Sequence, residues 1–150
     1  MNKGIFLVAA LVAAVSLAML GCGSDDSAGS LTRAEYIKQG NAICKKGEEE
    51  RLDKIGKALA KLDNSKELNN AAKAKFVRTV ALPPYEKQTE NLKELGLPDG
   101  EEEEAEAVVE AMEGAARKVE DEPVAALTTG VPFEEANKAA TDFGLKSCAV

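Results

Sequence analysis

The chain has 150 residues, with 26 acidic and 19 basic side chains, three cysteines, and neither histidine nor tryptophan. The acidic balance argues against nucleic acid as a partner and against electrostatic binding to anionic lipid headgroups. The lack of histidine excludes Ser–His and Cys–His nucleophilic pairs and zinc sites built on histidine. The sequence also contains no glycine-rich phosphate loop and no dinucleotide-binding motif.

The first twenty residues have the character of a secretory signal. Lys3 lies in a short positive start, and residues 4–20 are almost wholly apolar. A membrane-spanning helix needs about 20 apolar residues, and this run is slightly short before it ends at Gly21. We therefore exclude the segment from the fold. The alternative is an uncleaved anchor helix in which Cys22 has no role.

Residues 19–22, Met-Leu-Gly-Cys, resemble the lipobox of bacterial lipoproteins. Leu20, Gly21 and Cys22 fit the pattern, whereas Met19 stands where leucine is usual. The resemblance implies that signal peptidase II recognises Leu20 and Gly21 and cuts before Cys22. It also implies a diacylglyceryl group on the Cys22 thiol. The expected partner is then the lipid bilayer, with the protein on the extracytoplasmic face of the cell membrane.

This interpretation divides the chain into three parts. Residues 1–21 form the signal peptide, residues 22–30 form the lipidated cysteine and a flexible linker rich in Gly, Ser and Asp, and residues 31–150 form one domain. No run of alternating apolar and polar residues predicts a sheet. We expect an all-α fold, a small antiparallel bundle of four to five helices joined by short connections.

The predicted helices begin and end at recognisable signals. Thr32 and Glu35 form a capping box that begins the first helix, whose apolar positions continue to Leu62. A second helix is predicted over residues 66–82. It ends in a break or sharp kink because Pro83 and Pro84 lack amide donors, and these prolines are predicted to lie in the first turn of the third helix.

The later helices follow the same logic. The third helix closes at Gly96, a glycine cap followed by a proline stop. The fourth begins in residues 101–104, where four acids complement the helix dipole. Its apolar face consists of Ala105, Val108, Val109, Met112, Ala116 and Val119. A short helical turn is predicted within residues 124–129, and a fifth helix follows Pro132 and is capped by Gly144.

Two cysteines remain once Cys22 carries a lipid, and we predict that they form a disulfide. Cys44 lies on the apolar face of the first helix, and Cys148 follows the last helix stop. Disulfides persist in exported proteins, where an even number of cysteines is expected. The alternative is two buried free thiols. This pairing resembles small uncharacterised helical lipoproteins of Actinobacteria, which implies an exported, α-helical, disulfide-closed chain but no activity.

Candidate binding residues are few. The acidic runs at residues 48–50 and 101–104 could bind a cation such as calcium, but solvated helix faces explain them more simply. The aromatic side chains fit core positions, with an open groove between helices as the alternative. We expect a binding or interaction module of unknown partner, with no enzymatic activity, no metal and no cofactor. The alternative is a carrier of a small ligand or cation, in the groove or on the acidic runs.

Overall fold

The computed structural model describes residues 31–62, 68–129 and 131–150. The lipobox residues Leu20, Gly21 and Cys22 therefore lie outside the described residues. The α-helices are α1 (Arg33–Leu59), α2 (Asn70–Phe76), α3 (Leu82–Glu94), α4 (Glu102–Asp121), α5 (Pro123–Ala126) and α6 (Glu134–Phe143). Within the described ranges there is no strand, only one isolated bridge between Leu31 and Pro98. The predicted all-α fold is confirmed.

Helix α1 begins at the predicted capping box. The hydroxyl of Thr32 accepts a hydrogen bond from the amide of Glu35 at 3.3 Å, and the carboxylate of Glu35 accepts one from the amide of Thr32 at 3.0 Å. These bonds satisfy two amide groups that have no partner inside the helix. The helix ends at Leu59 rather than at Leu62.

The chain does not break before the two prolines, because it stays helical from α2 into α3, whereas the predicted place of the prolines in the first turn of the third helix is confirmed. Residues Val77–Ala81 form a π-helical segment that joins the two helices. Its wider turn lets the amide of Leu82 bond to the carbonyl of Val77, five residues back. Pro83 and Pro84 then occupy the first turn of α3, where an amide donor is not needed.

The core lies where α3 and α4 pack against the first half of α1 and against α6. All six residues of the predicted apolar face of α4 are buried. Two glycines allow close approach to α1. A Cβ on Gly40 would lie 2.6 Å from the Cδ2 of Leu145, and one on Gly47 would lie 2.4 Å from the Oε1 of Gln88. The close packing of Leu145 and of α3 against α1 therefore depends on these two glycines.

The second half of α1 departs from the expected pattern. Its apolar positions were predicted to continue the core face, but only Tyr36, Gly40 and Cys44 of this helix are buried. Leu52 and Leu59 are 56% and 48% exposed. The helix is longer than the elements that cover it, so its far half extends beyond the core. Among the described residues, no helix is long and apolar enough to cross a bilayer.

Candidate functional site

An apolar groove lies beside the π-helical segment, at the end of the bundle opposite the start of α1. It encloses about 230 Å³. Its described lining residues come from several elements that are far apart in the chain: Arg51, Val77, Ala81, Leu82, Tyr85, Val119, Ala126, Leu127, Phe133 and Val150. The groove is therefore a product of tertiary packing, because no single helix supplies more than a few of these side chains.

An aromatic pair lines part of this groove. The rings of Tyr85 and Phe133 meet edge to face, with centroids 5.3 Å apart and planes at 73°. Tyr85 is 3% exposed, and burial raises the pKa of its phenol, which stays neutral over the physiological range. Neutral aromatic and aliphatic walls favour apolar or aromatic ligands.

Arg51 is the one charged side chain among the lining residues. Its guanidinium donates to the carboxylate of Glu48 at 2.7 and 2.8 Å, one turn earlier on α1. The paired carboxylate offsets its charge, so the rim of the groove is polar without a strong net field.

The segment 144–150, which contributes Val150 to the groove lining, is fixed at both ends. Gly144, with φ of 109°, ends α6 in the left-handed conformation. The side chain of Asn41 donates to the carbonyl of Gly144 at 3.0 Å and accepts from the amide of Ser147 at 2.8 Å. Farther along, Asn137 binds both the carbonyl and the amide of Val150, at 2.7 and 3.0 Å.

A disulfide between Cys44 and Cys148 holds the same segment to α1. The two Cα atoms lie 4.9 Å apart, inside the range for bridging. Both residues are buried. The predicted pairing is confirmed, and only Ala149 separates Cys148 from Val150, which lines the groove. The disulfide therefore holds to α1 the segment that supplies Val150 to the groove lining.

The acidic runs do not converge on a common point. Glu48 pairs with Arg51, and Glu50 pairs with Lys54 at 3.0 Å, both along the surface of α1. Glu101 pairs with Arg33 at 2.6 Å. Within the part of the chain that the structure describes, no three side chains of the metal-binding types cluster. Among the described residues, the apolar groove is therefore a better candidate for a binding site than the acidic runs.

Sequence reasoning proposed a groove between helices without locating it. The sequence does not identify Arg51 or Val150 as lining residues, because neither belongs to a recognisable motif. The one local signal was the pair of prolines after a helix, since a widened π turn frequently accompanies a functional site. Comparison of the chain with protein-family models, curated proteins and solved structures finds no match.

Proposed function

We propose that the chain is a lipid-anchored binding module on the extracytoplasmic face of a cell membrane. It holds a small apolar ligand in the groove and does not transform it. The observation that carries the ligand part of this proposal is the composition of the groove lining, which is apolar or aromatic except for Arg51. Sites for small molecules are typically concave and apolar, with a few polar groups that fix orientation.

The size of the groove sets the class of ligand. A cavity of about 150 Å³ lined by aliphatic and aromatic side chains holds benzene. At about 230 Å³ the groove suits one aromatic ring system or a short acyl chain. A polar end of the ligand would lie near Arg51, and an apolar end near Tyr85 and Phe133.

The binding test uses N-phenyl-1-naphthylamine, a neutral apolar dye that fluoresces strongly on leaving water. We expect saturable binding of one dye molecule per chain. Ala126 lines the groove, so Ala126→Phe fills it and weakens dye binding about tenfold or more, a change of at least about 1.4 kcal/mol.

The matched control is Ala125→Phe, the same substitution at the preceding position of α5. Ala125 is not among the residues that line the groove and belongs to a neighbouring surface. Its variant retains the dye affinity of the native chain. Dye binding that does not saturate, or that both variants weaken equally, contradicts the assignment of the groove as the binding site.

The tether is tested separately, at Cys22. The proposal for this residue depends on the Leu20-Gly21-Cys22 sequence after an apolar run. One acyl chain gives only marginal membrane binding, whereas two chains give stable anchoring. We expect Cys22→Ser to move the protein to the soluble fraction or to leave an uncleaved precursor. A free Cys22 thiol in the processed protein, found by mass spectrometry, would refute lipidation.

A further inference from the structure

Tyr85 carries the only hydroxyl group among the described side chains that line the groove. The residue is 3% exposed. Its backbone carbonyl accepts a hydrogen bond from the hydroxyl of Thr89 at 3.0 Å, but its own hydroxyl has no partner among the described residues. Burial alone raises the pKa of this phenol. Buried polar groups are almost always paired, so the free hydroxyl calls for a partner that is not part of the described chain.

The hydroxyl of Tyr85 is open to solvent rather than enclosed. Within the described ranges, two polar side-chain atoms are both fully buried and unpaired, the hydroxyl oxygen of Tyr36 and the Nε2 of Gln88. The hydroxyl of Tyr85 is not one of them, although it also lacks a partner, so part of its surface reaches solvent. Because Tyr85 lines the groove and is otherwise buried, this access is through the groove.

The second polar group of the lining offers the same chemistry. The Nε and Nη2 atoms of Arg51 donate to Glu48, while Nη1 has no partner in the described part of the chain. A guanidinium donates hydrogen bonds and cannot accept them. Among the described lining residues, no other side chain has a polar atom. Apart from the phenol oxygen itself, the lining side chains therefore supply donors and no acceptor.

We propose that the ligand of the groove is a neutral apolar molecule with a carbonyl oxygen, which accepts a hydrogen bond from the hydroxyl of Tyr85. The apolar part of the ligand contacts the rings of Tyr85 and Phe133. This inference rests on the proposed binding of a small ligand in the groove and specifies the chemical class of that ligand.

Desolvation of the hydroxyl is the physical reason for this selectivity. A ligand that fills the groove removes water from the hydroxyl of Tyr85. A hydrocarbon leaves the hydroxyl buried without a partner, which weakens binding, whereas a carbonyl oxygen replaces the lost water. A site with a buried donor therefore discriminates against analogues that lack the acceptor. A neutral ligand is favoured over a carboxylate because Glu48 already pairs with Arg51, and burial of an unpaired charge is costly.

The test compares acetophenone with ethylbenzene, two molecules of similar shape in which a carbonyl replaces a methylene group. Each displaces the dye N-phenyl-1-naphthylamine from the native full-length chain and from two variants. Tyr85→Phe removes the hydroxyl and retains the ring that packs on Phe133. The matched control is Tyr36→Phe, which removes a hydroxyl that is also buried and unpaired but belongs to a residue outside the groove lining.

The measured quantity is the ratio of the two dissociation constants in each protein, because this ratio cancels the different cost of removing the two ligands from water. We expect Tyr85→Phe to shift the ratio at least about tenfold in favour of ethylbenzene, a change of about 1.4 kcal/mol. Tyr36→Phe should retain the ratio of the native chain. A ratio in Tyr85→Phe within about twofold of the native value, or an equal shift in both variants, overturns the proposed ligand class.

The infrared spectrum of bound acetophenone, with an isotope label in its carbonyl, provides a measurement on the native chain itself. A hydrogen bond lowers the frequency of the carbonyl stretch, so we expect a lowered frequency that returns toward the value in hydrocarbon solvent in Tyr85→Phe. A native frequency equal to that in hydrocarbon solvent overturns the hydrogen bond.

The failure of this inference is distinguishable from the failure of the proposed function. If both molecules displace a saturably bound dye but the ratio does not depend on Tyr85, the groove remains a binding site and the carbonyl class is wrong. If the dye does not bind saturably, the groove is not a site for small apolar ligands, and both proposals are overturned.

Discussion

Removal of the disulfide between Cys44 and Cys148 should destabilise the domain more than any other single change. The bond joins residues 104 positions apart, so it closes almost the whole domain into one loop. In the chain-entropy model, closing a loop of about 100 residues contributes up to about 4.7 kcal/mol. Typical domains have a total stability of about 5–15 kcal/mol. The disulfide is therefore a large part of the free energy of unfolding.

The perturbation is the double variant Cys44→Ala/Cys148→Ala. Reductant alone is a poor test, because the two residues are 0% and 2% exposed and are reached only after partial opening. For a domain of this size, each kcal/mol shifts the melting temperature by about 3–5 °C. We expect a decrease of about 10–20 °C in a thermal melt followed by circular dichroism. The affinity of the groove for the dye should also fall, because Val150 follows Cys148 closely.

The single variants identify the source of the loss. If the covalent bond is responsible, Cys44→Ala and Cys148→Ala each lose almost the full amount, and the double variant loses little more. If packing of the two sulfur atoms is responsible, the losses of the single variants add up. Additive losses, or a decrease in melting temperature below about 3 °C, refute the reasoning from loop closure.

Two further predictions concern α1 and the groove. Gly56→Ala should stabilise the fold by about 0.5–1 kcal/mol, because no described atom lies within 4 Å of the new Cβ. Gly40→Ala should destabilise the fold, because its Cβ would lie 2.6 Å from buried Leu145, and overpacking costs about 1–3 kcal/mol. Urea denaturation measures both variants. If both raise or both lower the free energy of unfolding, the predicted contrast is contradicted. Burial raises the pKa of Tyr85, so the unfolded chain loses that proton first and stability falls as the pH rises above about 10. Tyr85→Phe should reduce this loss of stability. The part that remains is due to Tyr36, because burial raises its pKa too. If the melting temperatures of the native protein and the variant depend on alkaline pH in the same way, a contribution from Tyr85 is excluded.

The local signals in the sequence predicted most of the helix boundaries. The capping box at Thr32, the glycine caps at Gly96 and Gly144, and the acidic start of α4 all lie where the structure begins or ends a helix. These features depend on hydrogen bonds within a few residues, so the sequence contains the information they need. The cysteine count similarly predicted the disulfide.

Only the tertiary structure decided how Pro83 and Pro84 are accommodated. Their missing amide donors remove hydrogen bonds of an α-helix, and the sequence therefore predicts a break or sharp kink. The chain instead widens into a π turn at Val77–Ala81. Packing of this segment against α1 holds the helix together through the turn, and that contact cannot be deduced from neighbouring residues alone.

The groove and the exposed half of α1 also required the fold. Helical spacing identifies the apolar face of α1, but it does not show how far along that face the other helices of the domain pack. Leu59 therefore had the same sequence signature as buried Cys44. Similarly, Tyr85, Phe133 and Val150 meet at one groove although they are far apart in the chain. Each alone fits a core position, and only their packing leaves a space between them.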